Sequence, residues 1–380
     1  MSVPDLKVMT VLGTRPEIIR LARVLPLLDA RTDHRLVHTG QNYDRSLSDD
    51  FFEELRLRPP DVHLGIDTTS LGATLGDILR KVEPVLEEHR PDAVLVLGDT
   101  NSSLAALMAK RLRITVYHME AGNRCFDENV PEEINRRVID HLADFNLAYT
   151  EHARRHLLAE GLHPRRVTVT GSPLREVLEH FRPDIDRSDV LARLGLEVGG
   201  FLVASVHREE NVDRPDRLRL VLDSLDLLRE ELGVPVVVST HPRTRKRLDA
   251  LGDGLHRDLR FSEPFGFFDY NALQLAAACV VSDSGSVAEE AAILGFPAVT
   301  LRDAMERPEA LETGSVLLTG LDPENVVRAV AVAVAQRSDG RSPEVPADYR
   351  ITDTSQRVLD LIVGTARLHH RWAGLHPDAD

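Results

Sequence analysis

The stretch Asp92–Gly122, DAVLVLGDTNSSLAALMAKRLRITVYHMEAG, holds two apolar runs separated by a segment of helical character. "DAVLVLGD" and "ITVYHMEAG" predict buried strands, and "SSLAALMAKRLR" predicts the helix between them. A strand, a helix and a strand in that order form the crossover that parallel neighbours require. The alternation continues in both directions. Upstream, "KVMTVLG" and "DHRLVHTG" predict strands, and "GATLGDILRKVEPVLEEHR" predicts a helix. "PEIIRLARVLPLLDA" predicts another, with Ile18, Leu21, Leu25 and Leu28 on one face, a cap at Thr14, Pro16 near the first position and a kink at Pro26. Downstream, "ADFNLAYT" and "RVTVTGS" extend the series.

The pattern weakens over residues 173–199, where Pro173, Pro183 and Gly199 interrupt a helical stretch, and then restarts. "FLVASVH", "VPVVVST", "LRFSEP", "ACVVSDS", "PAVTL" and "SVLLTG" predict a second set of strands with helices between them. The expected class is α/β, with two doubly wound, Rossmann-like domains whose parallel sheets are covered on both faces. The expected boundaries are 1–178 and 179–352, with a final helix in 353–380 packing back on the first domain. Open parallel sheets bind ligands at the carboxyl ends of their strands, so a cleft between the domains is the expected site.

Length and composition agree with this. A chain of 380 residues suits two domains of ordinary size, and 42% apolar with 28% charged residues describes a globular protein. No apolar run reaches the ~18 residues that a membrane span needs, and the N-terminus lacks a basic-then-apolar signal pattern. The two cysteines, Cys125 and Cys279, lie far apart and match no metal-ligand spacing, which points to a cytoplasmic setting. A net charge of −15 argues against sequence-independent nucleic-acid binding, although a few placed arginines can still hold a diphosphate.

Polar residues gather at the predicted strand ends. The first half presents Gly13-Thr14-Arg15, Gly98-Asp99-Thr100 and His118-Met119-Glu120. The second half presents His207-Arg208-Glu209, Thr240-His241-Pro242-Arg243 and Asp283-Ser284-Gly285-Ser286. Acids therefore concentrate in the first half, and His and Arg in the second. In "SDSGSVAEEAAILGFP", small residues join a strand to a helix, so backbone N–H groups at the helix N-terminus can approach a phosphate while a nearby glutamate accepts ribose hydroxyls. Ser as an ordinary cap and Glu as a complement to the helix dipole explain the same pattern. His118 and Glu120, two apart on a strand, are expected to share a face as a structural pair. No G-x-G-x-x-G follows the first strand, and G-x-x-x-x-G-K-[ST], H-E-x-x-H and C-x-x-C do not occur. NAD, ATP hydrolysis and a dedicated zinc site thus lose their usual fingerprints, and neither cofactor nor metal is expected.

Read together and in order, "VLGTRPEIIR", "HTGQNYD", "LGDTNS", "HMEAGNRCFDENVPEEINR", "TGSP", "HREEN", "THPRTRKR", "SDSG" with "EE", and "ERPE" resemble the non-hydrolysing UDP-N-acetylglucosamine 2-epimerases, enzymes of the glycosyltransferase-B fold. Within that family, "HTGQNYD", "MEAGNRCFDENVPEE" and "HREENV" look like the capsule and O-antigen branch that forms UDP-N-acetyl-L-fucosamine from its talosamine-configured isomer. Asn42 and Glu209 stand where the UDP-N-acetylglucosamine enzymes more often carry His and Arg. The family uses the region around the first of these positions to hold a second, activating UDP-sugar, and Asn42-Tyr43-Asp44 departs from that pattern.

The resemblance implies a UDP-sugar substrate, a homodimer, and chemistry by elimination of UDP across C1–C2 followed by re-addition with the proton on the opposite face. It implies Asp99, Glu120 and Glu132 as acid–base carboxylates, with His207 supporting the leaving diphosphate or shuttling a proton. Arg15, Arg20, His241, Ser284, Gly285, Ser286 and Glu290 are the implied substrate-binding residues. Arg136 and Asn135 are weaker candidates, because an arginine just after two glutamates is often only their ion-pair partner. Glu133 and Asp127 are expected to be solvated loop acids. A UDP-sugar glycosyltransferase of the same architecture, a hydrolysing 2-epimerase and a nucleotide-sugar sensor are the competing readings.

Overall fold

The computed structural model describes residues 6–41, 45–251, 256 and 258–375, with the backbone only for 45–49. The chain divides into two compact units. One runs to Leu178 and takes in the chain again from Ile351; the other is Glu179–Arg350.

The first unit is built on β1 (Lys7–Leu12), β2 (Asp33–His38), β3 (Val62–His63), β4 (Ala93–Leu97), β5 (Thr115–Ala121), β6 (Phe145–Ala148) and β7 (Val167–Val169). They lie in the order β3-β2-β1-β4-β5-β6-β7, all parallel. In the second unit, β8 (Leu202–Ser205), β9 (Val236–Ser239), β10 (Arg260–Ser262), β11 (Cys279–Ser282), β12 (Ala298–Thr300) and β13 (Leu317–Leu318) lie in the order β10-β9-β8-β11-β12-β13, again all parallel. Both sheets are doubly wound, as the alternation of runs predicts. Each reverses its strand order once, between β1 and β4 and between β8 and β11, the place at which open parallel sheets bind ligands.

Burial explains why the strands read as unbroken apolar runs. All five residues of β4, Ala-Val-Leu-Val-Leu, are buried, because helices cover both faces of the sheet. The helix Leu71–His89 contributes Ile78, Val82 and Leu86 to the core that holds Met9, Val11, Val94 and Val96. In the second unit the helix Pro215–Leu232 packs Leu218, Val221, Leu225 and Leu228 against Leu202, Ala204, Val281 and Val299. Each such fully buried aliphatic side chain contributes about 1.5–3 kcal/mol.

The expected single helix after β1 is two, Arg15–Leu21 and Val24–Arg31. The break falls at Ala22-Arg23, ahead of Pro26. Pro26 then sits in the first turn of the second helix, where its missing N–H has no intrahelical partner to lose. Ile18, Leu21, Leu25 and Leu28 are nevertheless all buried, so the apolar face survives the break.

The closing helix Thr354–Trp372 belongs to the first unit. Thr115 Oγ1 donates to the Ala366 carbonyl at 3.0 Å, and Tyr117 and Thr365 share a hydroxyl bond of 2.7 Å. Thr354 Oγ1 donates to the Thr170 carbonyl at 3.1 Å. Among the described residues no helix is long and apolar enough to cross a membrane.

Candidate active site

In the first unit the candidate residues stand where β1, β4 and β5 end, at the reversal of strand order. After β1 the chain turns through Gly13-Thr14 into the helix Arg15–Leu21, with Thr14 as the N-cap. The Thr14 hydroxyl does not cap a backbone N–H; it donates to Glu17 Oε2 at 2.7 Å, which also accepts the Gly13 N–H at 3.0 Å. Glu17 Oε1 accepts from Thr100 Oγ1 at 3.2 Å, which ties the loop after β1 to the loop after β4. Burial pushes the Glu17 carboxyl up to about 7 against these hydrogen bonds. Arg15, whose pKa burial lowers, lies over the Phe51 ring at 5.5 Å.

Glu120 interrupts β5. The pairing with β6 shifts register between Met119 and Ala121, and Glu120 takes φ +63°. That left-handed conformation costs a residue with a Cβ about 1–2 kcal/mol, and such strain is often kept where a side chain must be aimed. Here it carries the carboxylate to Arg20, with Oε2 3.6 Å from Nε, beside Gly98 and away from the sheet interior. Arg20 itself is buried and lies 5.7 Å from the centre of the Tyr149 ring. The expectation that His118 and Glu120 share a strand face is therefore corrected, because the bulge breaks the alternation. His118 is wholly buried, with Nε2 2.8 Å from the Gly98 carbonyl and Nδ1 2.9 Å from Asp140 Oδ1.

Asp99 follows β4 and is held from the helix Pro131–Leu142. Arg136 donates to its Oδ2 through Nε at 3.0 Å and Nη2 at 2.6 Å, and Asn135 Nδ2 donates to its carbonyl at 2.9 Å. Glu132, half-buried in the first helical turn, lies three and four residues before Asn135 and Arg136 and so on the same helical face.

Glu133 corrects the expectation of a solvated acid. It is 1% exposed and accepts from the Cys125 N–H, the Cys125 thiol, Arg136 and Arg137. These partners outweigh its burial and lower its pKa. Asp127 is partly exposed and turned to Asn129, as a loop acid would be. Pro131 starts the helix, which sends Glu132 and Glu133 to different sides of it.

In the second unit the candidates stand after β8, β9 and β11. Asp283 closes β11 and is wholly buried. Its carboxylate accepts the His207 N–H at 3.1 Å, the Arg208 N–H at 3.1 Å and Asn211 Nδ2 at 3.1 Å. The loop after β8 is thereby locked to β11 across the reversal. The His207 side chain stays 40% exposed, with Nδ1 3.6 Å from Asp283 Oδ1, and its ring centroid is 6.0 Å from that of His241. His241 Nδ1 accepts the Arg243 N–H at 3.2 Å, which leaves Nε2 to carry the proton when the ring is neutral.

Ser284 and Ser286 share a hydroxyl bond of 3.0 Å at the start of the helix Ser286–Leu294. Between them, Gly285 lies against Glu306, Arg307 and Arg208, and a Cβ there would meet all three side chains. Arg208 and Arg307 bond Glu306 at 3.3 and 3.1 Å, and Arg302 joins it at 2.6 Å. Glu290 accepts from Gln274 Nε2 at 2.7 Å.

Within each unit, then, the predicted residues converge on the carboxyl edge of the sheet. Arg20 and Glu120 touch, Asp99 is tied to the helix of Glu132, His207 neighbours His241, and Ser284–Ser286 open a helix. Asn42, Tyr43 and Asp44 lie outside the described residues. Sequence reasoning missed Glu17, Glu306, the role of Asp283 as a lock and the hold of Arg136 on Asp99. For Glu17 a signal existed, since Thr14-x-x-Glu17 has the form of a capping box. For the others none did. Among the described residues no group of three or more His, Cys, Asp or Glu side chains is arranged to hold a metal ion.

A family model described as UDP-N-acetylglucosamine 2-epimerase matches residues 28–363. A UDP-N-acetylglucosamine 2-epimerase of Methanocaldococcus jannaschii is 37% identical over 347 residues, which cover 89% of this chain and 95% of that protein. Among solved structures, UDP-N-acetylglucosamine 2-epimerase from Rickettsia bellii superposes with a TM-score of 0.89 at 42% identity, covering 98% of this chain and 100% of the other. The M. jannaschii UDP-GlcNAc 2-epimerase in complex with UDP-GlcNAc and UDP gives a TM-score of 0.88 at 34% identity, over 94% of this chain and 100% of the other.

Proposed function

The chain belongs to the UDP-N-acetylglucosamine 2-epimerase family and has its glycosyltransferase-B-like fold, and on that premise we propose that it inverts C2 of UDP-N-acetylglucosamine without hydrolysis, giving the manno isomer. The C2 hydrogen of such a sugar has no adjacent carbonyl, so deprotonation cannot be stabilised as an enolate. Elimination avoids the difficulty. A carboxylate takes the C2 proton, the C–H electron pair forms the C1–C2 double bond, and the C1–O pair leaves with the diphosphate. In the return step, an acid delivers a proton to the opposite face of C2 while a diphosphate oxygen bonds C1. Groups able to give and take protons, and a cradle for the diphosphate, are what this needs.

The observation that carries the proposal is Glu120, held at φ +63° on a bulge so that its carboxylate stands beside the loop of Asp99, each acid with its own guanidinium. We assign the proton transfers to Asp99, Glu120 and Glu132, and support of the departing diphosphate to His207. Ser284, Gly285 and Ser286 offer the phosphate-binding turn, with His241 near His207, Glu290 for the ribose, and Arg15 and Arg20 for the substrate from the first unit. The first unit is thus the acid–base domain and the second the UDP domain.

Glu209 favours a second reading, the UDP-N-acetyl-L-fucosamine branch. It stands where the UDP-N-acetylglucosamine enzymes more often have Arg, and it pairs with Arg243 Nη1 at 2.5 Å. Incubation in D2O with each of the two UDP-sugars, followed at C2 by proton NMR, tests both. Deuterium at C2 with a new epimer supports elimination and re-addition, and the faster substrate names the branch. Acceptor-dependent transfer without exchange would replace the proposal with a glycosyltransferase. Asp99→Asn should abolish turnover while UDP still binds.

A further inference from the structure

Cys125, Glu133, Arg136 and Asp99 form one chain of contacts from the interior to the edge of the first sheet. The Cys125 N–H reaches Glu133 Oε2 at 3.0 Å, Arg136 Nη1 reaches the same oxygen at 3.0 Å, and Arg136 Nε and Nη2 reach Asp99 Oδ2. Exposure rises along it, from 1% for the Glu133 side chain through 4% for Arg136 to 25% for Asp99. A buried ion pair adds little net stability, because desolvation offsets most of its attraction. What it supplies is geometry: a planar guanidinium gripped on one side by a fully satisfied acid can move little on the other. Both guanidinium bonds fall on Oδ2, and among the described residues Oδ1 accepts no hydrogen bond.

We propose that Arg136, anchored by Glu133, is a positioning residue for Asp99, which it holds by Oδ2 so that Oδ1 faces the sugar. The inference rests on the role assigned to Asp99. Arg136 faces Asp99 from the helix Pro131–Leu142, with Glu133 behind it. Glu120 from β5 and Glu17, reached through Thr100, are the acids on the neighbouring loops. Arg20 pairs with Glu120 and Arg136 with Asp99, so the guanidinium that fixes Asp99 is that of Arg136.

The test uses Arg136→Gln, Arg136→Lys and Glu133→Gln in the full chain, with circular dichroism to establish folding. Two readouts are taken: kcat and KM, and the Arg136 Nε–H signal by nitrogen-15 NMR, whose shift and slow exchange report its bond to Asp99 and should be lost in Asp99→Ala. Arg136→Gln should lower kcat about a hundred-fold, the scale expected for a displaced reacting group, with KM nearly unchanged. Arg136→Lys should restore only part of kcat, because it keeps the charge and loses the fork. Glu133→Gln should lower kcat with KM nearly unchanged and speed exchange of the Arg136 Nε–H, since it loosens the anchor. An Arg136 Nε–H signal unchanged by Asp99→Ala, or a lysine variant no better than glutamine, overturns the proposal. If the wild type epimerises neither sugar, the proposed function falls by itself, and the Arg136 Nε–H signal still judges the grip of Arg136 on Asp99.

Discussion

Gly285 and Arg307 are packed so closely that a Cβ on the glycine would come 2.6 Å from Arg307 Nη1. Gly285 has φ −65°, so nothing in its backbone calls for glycine; the requirement is one of space. The same Cβ would press on Glu306 and approach Arg208 Nη2 at 3.4 Å, and these side chains are pinned to one another. Gly285→Ala should therefore destabilise the chain by about 1–3 kcal/mol, as overpacking does, and weaken UDP at least several-fold by displacing the turn at Ser284 and Ser286. Thermal melting and titration calorimetry with UDP check both. Unchanged UDP affinity would mean that the turn does not hold the nucleotide.

Strain at Glu120 can be separated from its chemistry. Glu120→Gly and Glu120→Ala both delete the carboxylate, and both should lose turnover. At φ +63° glycine is at home and alanine is not. The Gly variant should thus be the more stable by about 1 kcal/mol, the reverse of the order expected at an ordinary position. Urea unfolding of the pair measures the difference.

Glu17 gives stability a pH dependence. Its carboxyl is raised from the ordinary 4.5 to about 7 in the folded chain, burial being the cause. Below pH 4.5 it is protonated whether folded or not. As pH rises from 4.5 to 7 the unfolded chain ionises first, so stability falls across that window, by roughly 3 kcal/mol in full. Glu17→Gln removes the titration. Relative to wild type it should gain stability steadily from pH 4.5 to 7.5, and a pH-independent difference between the two would refute the assignment.

Asp283→Asn tests the lock between β8 and β11. The wild-type carboxylate accepts from three N–H donors while fully buried. An amide offers one oxygen and turns its NH2 toward a donor, which costs about 1–3 kcal/mol. A lower melting temperature should accompany weaker UDP binding, because His207 rides on the same loop.

Much of this site is legible before any folding is considered. Asp99, Glu120, His207 and Ser284 each follow an apolar run, and parallel strands joined by helices put such ends on one edge of their own sheet. Glu133 shows where that logic stops. It adjoins Glu132 in sequence and has the same charge, yet one is half-buried and the other sealed against Cys125, Arg136 and Arg137. Nothing in "PEE" says which acid faces inward, because the helix phase is set by what packs beneath it.

By itself the sequence determined the doubly wound class, the place of the strand ends and the turn at Ser284–Ser286, since these follow from local periodicity and from small residues at a helix start. Tertiary structure alone decided which partner grips which acid. Arg136 finds Asp99 across 37 residues and His207 finds Asp283 across 76. The bulge at Glu120 arises only when β5 is paired with β6. Such contacts depend on the register of strands and the phase of helices that meet from distant parts of the chain, and no local pattern encodes them.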